Sequence, residues 1–245
     1  MAEQARHEEV LLEQDFAKLE EAIEAGLWEV DGEGLSLYAT GDGSEVESDP
    51  GPPGAVIVTE GSEGLAELVH RIRGAEGAEV SRLTAAIRCE VIDDKSAFTV
   101  GLAFDDDLEE AALLALTLRR PRPETKMPEP GAPPFPEEDT SVRPVMLQLN
   151  GKACGLAGEA VEVLGASIDL DLELHWGQKD ERKVVLHHRL LMPNAEKTEL
   201  SVISEGSTTS GFYTTDVKFN MAKVLFLRAT GAVKVRLSSL RMEGR

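Results

Sequence analysis

Histidines and carboxylates that could share a metal ion fall in one short stretch. His175 and Glu173 sit two residues apart, with Asp171 two further back, so in a strand all three point to one face. One of His187 and His188 faces them if the following strand lies alongside. Adjacent histidines in a strand place their rings on opposite faces, so only one of that pair can join. His175, His187 and Glu173 are the metal candidates, and the competing reading is a row of solvated residues on a sheet.

Other chemistry lacks its pattern. Gly32–Gly34, Gly41–Gly43 and Gly151–Gly158 miss the Lys-Ser/Thr of a phosphate loop and the strand-to-helix setting of a dinucleotide fold, and read as turns. No Gly-x-Ser-x-Gly elbow, no His-Glu-x-x-His and no cysteine with a matching histidine motif occurs. The expectation is a non-catalytic protein without a cofactor. The Ser/Thr-rich run 204–215 reads as a polar loop between strands.

The elements that would carry these residues divide the chain. Leu12, Phe16, Leu19 and Ile23 recur at helical spacing, with Glu13, Glu20, Glu21 and Glu24 opposite and Gly26 as a terminal cap. That stripe docks on its own domain or on another copy, which makes the four apolar residues partner-binding candidates. A small hairpin is expected over Trp28–Val30 and Leu35–Tyr38, an exposed loop over 40–54, and a helix through Leu65, Leu68, Val69 and Ile72. Ile87, Cys89 and Val91 alternate, as do Phe98, Val100, Leu102 and Phe104. The Asp93–Ser96 turn between them predicts a second hairpin. A helix capped by Asp105–Asp107 and ending at Arg119-Arg120 completes an α+β domain over 1–120.

Residues 121–144 carry eight prolines among acids and read as an extended linker. Beyond it the period becomes 2: Ile168, Leu170, Leu172, Leu174 and Trp176 alternate with Asp169, Asp171, Glu173 and His175. Further strands are expected at 145–149, 161–164, 184–191, 200–203, 212–219, 224–227 and 233–237. Residues 145–245 should therefore form an all-β domain: an antiparallel sandwich, jelly roll or small barrel.

Charge narrows the partners. The chain has 245 residues and a formal net charge of -20. Residues 1–140 hold 33 acids against 11 bases, net -22, and residues 141–245 hold 12 against 14, net +2. Such a surface repels phosphate backbones and anionic leaflets, so neither nucleic acid nor membrane is an expected partner. The charged amino terminus has no signal-peptide core and no long apolar run occurs, which suggests a cytoplasmic-type protein. Cys89 and Cys154 read as small core residues in a reducing compartment.

In broad design, a strand-rich module such as Lys223–Leu237 joined to a Pro-rich arm resembles virion structural proteins of tailed bacteriophages. The resemblance implies a homo-oligomeric assembly protein, a capsid or tail component, that binds itself or other structural proteins through its β domain. The alternative is a small-ligand-binding protein or metal-dependent enzyme with a site near His175.

Overall fold

The computed structural model describes residues 8–32, 36–39, 54–61, 63–73, 76–93, 95–108, 111–120, 145–154, 166–176, 182–193, 199–212 and 221–245. The loop expected at 40–53, the linker 121–144, the strand at 161–164 and most of that at 212–219 lie outside them.

Period-2 burial organises nearly everything that is described. The strands in chain order are β1 (Glu9–Asp15), β2 (Glu29–Asp31), β3 (Ser36–Ala39), β4 (Ala55–Thr59), β5 (Leu65–Arg71), β6 (Val80–Ile92), β7 (Ala97–Ala103), β8 (Ala112–Arg119), β9 (Met146–Leu149) and β10 (Lys152–Ala153). They continue with β11 (Ser167–His175), β12 (Lys183–Pro193), β13 (Leu200–Ser210), β14 (Val224–Thr230) and β15 (Val233–Gly244). One antiparallel sheet of eight strands runs β13-β12-β11-β6-β15-β4-β3, with β1 also on β15. A second, of seven, runs β10-β9-β8-β7-β14-β5-β2. The inner faces supply one core in which Trp28, Phe16, Phe98, Leu83, Leu113 and Leu118 are fully buried. No helix among the described residues is long and apolar enough to cross a membrane.

This corrects the expected α+β domain over 1–120 followed by a separate all-β domain. The fold is a β-sandwich in which both sheets mix strands from the two sides of the Pro-rich segment. β15 lies between β6 and β4, and β14 between β5 and β7.

Three expected helices are strands in whole or part, each for a nameable reason. The amino-terminal stripe begins as β1, turns through a 3-10 segment at Phe16–Lys18, and is helical only in α1 (Leu19–Glu24). Its inward row is Leu12, Gln14 and Phe16. Gln14 disguised the alternation because it is polar, yet it is buried and accepts a hydrogen bond from Trp28 Nε1 at 3.0 Å. Gly26 follows α1 at φ 72°, where Leu27 N donates to Ala22 O at 2.9 Å, the left-handed closure expected of a terminal glycine. In β5 the inward residues are Ala66, Leu68 and His70. Val69 packs on the opposite face, in a satellite cluster of Ala103, Leu108, Ala111, Val224 and Phe226. A strand apolar on both faces mimics helical spacing. β8 is buried on both faces over Leu113–Leu116, so its Ala- and Leu-rich run reflects covering from two sides and tertiary pairing overrides helix propensity.

Both expected hairpins have real strands but the wrong partners. β2 pairs with β5 and β3 with β4, in different sheets. Gly32 begins that crossing at φ 131°, where a β-carbon would collide with the Leu65 carbonyl. β6 and β7 likewise belong to opposite sheets, so the Asp93–Ser96 turn arches across the core instead of closing a ladder. The Ser/Thr-rich run expected as a loop is strand up to Ser210.

Candidate functional site

The wet face of β11 lies near the middle of the eight-stranded sheet, and the register of its neighbours decides what stands beside it. The alternation read from the sequence holds: Ile168, Leu170, Leu172 and Leu174 face the core, while Asp169, Asp171 and Glu173 face outward. Asp171 lies opposite His187 on β12 and Thr84 on β6, and Asp169 lies opposite Arg189 and Ala86. On the far side of β6, Ala86 is opposite Ser239 of β15. The sequence suggested only that His187 or His188 stands beside Asp171; the partners on β6 and β15 come from distant parts of the chain.

These residues line an open groove of about 380 Å³ bounded by Thr84, Ala86, Asp169, Asp171, His187, Arg189 and Ser239. A smaller hollow of about 170 Å³ adjoins it at Ala86 and Asp169, reaching Arg88, Ser167 and Arg236. Small side chains form the floor and charged ones the walls. Each wall carboxylate is matched: Arg82 grips Asp171 through two bonds of 2.8 and 2.6 Å, and Arg189 Nη2 lies 3.2 Å from Asp169 Oδ2. The Asp171 bonds hold the Arg82 proton more tightly than usual. At the far end Glu90 receives Lys234 at 2.6 Å and the nearly buried Arg236 at 3.2 Å.

Of the metal candidates, Glu173 and His187 share this outer face. His175 lies at the end of β11, opposite Lys183, with its Nε2 3.8 Å from Glu173 Oε2. The three do not converge, and among the described residues no group of three His, Cys, Asp or Glu side chains is placed to hold a metal ion. The partner-binding candidates go inward: Leu12, Phe16 and Leu19 are buried in this chain's own core and Ile23 packs against it, so the fold leaves no such stripe for a second molecule. Burial pushes the Cys89 thiol up to about 12 and raises that of Cys154, leaving both poor nucleophiles.

His188 points opposite to His187, as adjacent strand residues must. It is 1% exposed, between Leu170 and Gly206 on the neighbouring strands, and neither ring nitrogen has a hydrogen-bond partner. Burial lowers its pKa, and neighbouring His187 lowers it further. The unfolded chain therefore takes up this proton at a higher pH than the folded one. His188 leaves stability intact above the ordinary histidine value of about 6.5 and subtracts from it as pH falls below that value. His188→Leu should flatten that part of the stability-pH curve and raise stability by about 1–2 kcal/mol. Urea midpoints for both proteins across the range check this, and parallel curves would refute it.

No family model matches the chain and no curated protein matches it. Among solved structures, similarity is found to the legume lectin-like domain from Entamoeba histolytica, with 11% identity, 95% of this chain and 96% of that one covered, and a TM-score of 0.47. The calcium-bound exoplasmic/lumenal domain of VIP36 gives 11% identity, 88% and 82% coverage, and 0.46. A carbohydrate esterase from the Shiga toxin-encoding bacteriophage phi24B gives 10%, 98% and 100%, and 0.42. Likenesses this distant transfer no ligand, activity or site residue to this chain.

Proposed function

We propose that the chain is a non-catalytic recognition module that holds a neutral, hydroxyl-rich ligand, a saccharide in the simplest case, on the outer face of its eight-stranded sheet. The observation that carries this reading is the pairing at the groove: above a floor of Thr84, Ala86 and Ser239, Asp169 is paired with Arg189 and Asp171 with Arg82 just beside it. Their charges sum to about zero, which favours neither an anion nor a cation. Planar donors next to planar acceptors suit vicinal hydroxyls, each of which both gives and takes a hydrogen bond. Acid-base catalysis is less well served, since protonating Asp169 or Asp171 would break its ion pair.

Saturation-transfer NMR of the full chain against a panel of neutral oligosaccharides tests the reading. Transfer is expected from at least one, and Arg189→Ala should weaken it about tenfold or more, the usual cost of losing a charged hydrogen bond. Ala86→Phe, an outward-facing change that fills the groove floor, should abolish it while leaving the unfolding midpoint nearly unchanged. No transfer to the parent protein, or transfer indifferent to both variants, would reject the reading.

An assembly role with itself or other structural proteins, a virion component among its forms, is the second reading. The helix stripe and the separate β domain no longer support it. What supports it is the outer edge of β13.

A further inference from the structure

β13 ends the eight-stranded sheet, and among the described residues no strand lies outside it. A strand in that position presents a row of unpaired backbone donors and acceptors. Proteins usually blunt such edges with brevity, lysine, proline or a bulge that twists the strand away. β13 has one of these, a bulge at Ile203 toward its first end, and beyond it Ser204–Ser210 runs without lysine, proline or a further bulge, with Glu205 its one charged side chain. The bulge leaves Ile203 without a partner on β12, because Leu190 and Leu191 pair with Ser204 and Val202. Val202 and Ile203, beside that end, are 49% and 44% exposed.

We infer that β13 pairs antiparallel with β13 of a second copy of this chain about a two-fold axis at Gly206, joining two eight-stranded sheets into one. Two features select a second copy. In this register each Glu205 faces Ser207 of the partner copy, so no acid meets an acid, whereas centring one residue earlier would set Glu205 against itself. Along the edge Glu205 is the one charged side chain of β13, and β12 beside it carries Lys183 and Arg189 and no acid, so the repulsion expected between two molecules of charge -20 is weak here. The contact is isologous and closes on itself, as a two-fold pairing requires. It gives the assembly reading a concrete form and is independent of the saccharide reading.

Ser207 is exposed on the outer face, opposite His187 within the chain, so charge can be placed there without disturbing the core. Ser207→Glu sets two acids against Glu205 at symmetry-related positions and should weaken the dimer by roughly tenfold, whereas Ser207→Lys should keep or tighten it. Light scattering over a concentration series and native mass spectrometry of the full-length chain read both. Thermal midpoints of the monomeric fraction confirm that each variant folds. A parent protein that is monomeric at the highest attainable concentration overturns the inference. So does a particle built only with a foreign chain, or an equal response to the two opposite charges.

Discussion

Leu172→Asp should leave the chain unable to fold, with a loss on the order of 4 kcal/mol or more. Leu172 is 1% exposed at the centre of β11, flanked by Leu186 on β12 and Leu83 on β6, both fully buried. A carboxylate there has no partner in reach of the register, and the strand cannot slip by one residue without turning its whole apolar row outward. The neighbouring Asp171→Ser is the control. It removes the two bonds from Arg82 at a half-exposed site and should cost about 1 kcal/mol or less. Urea unfolding followed by circular dichroism measures both, and similar midpoints for the two variants would contradict the assignment of faces.

The second large effect concerns a fragment. Residues 145–245 expressed alone should show no cooperative unfolding transition, although the period-2 pattern first suggested an independent domain. Both neighbours of β14 are β5 and β7, and all partners of β15 are β1, β4 and β6, every one of them before residue 121. β11 loses β6 as well. Among the described residues only the ladders β9–β10, β11–β12 and β12–β13 survive, and these expose most of their apolar faces. A strand-type spectrum with a sharp thermal transition from this fragment would show that the interleaved topology is wrong.

Both predictions mark where the sequence was legible. A strand with one buried and one wet face announces itself, and β11 did so along its full length. Strands covered on both sides do not: the outward Val69 of β5 packs in the satellite cluster around Phe226, and β8 is buried on both faces over Leu113–Leu116, which no local pattern reveals. A single buried polar residue, Gln14, was enough to turn a strand into an apparent helix face. The candidate site was half visible. The sequence put Asp171 and Glu173 on one face and left open which of His187 and His188 joins them, while Thr84 and Ser239 reach the groove only through pairing between distant segments. Strand order, unlike strand identity, depends on which turns close ladders and which arch across the core, and the Asp93–Ser96 turn looks the same either way.

The position of β15 bears on how the molecule is made. Its last residues pair with β1 at one end of the chain and with β6 along most of their length. Synthesis therefore delivers this interior strand of the larger sheet after all of its neighbours, β1, β4 and β6. Until then β4 and β6 have a gap between them, and apolar rows ending in Ile57, Leu83 and Ile87 stay open to water. Contacts of such long sequence separation close slowly. The nascent chain must wait for β15, and during that wait it depends on its high negative charge, or on a chaperone, to keep unfinished sheet edges of neighbouring copies apart.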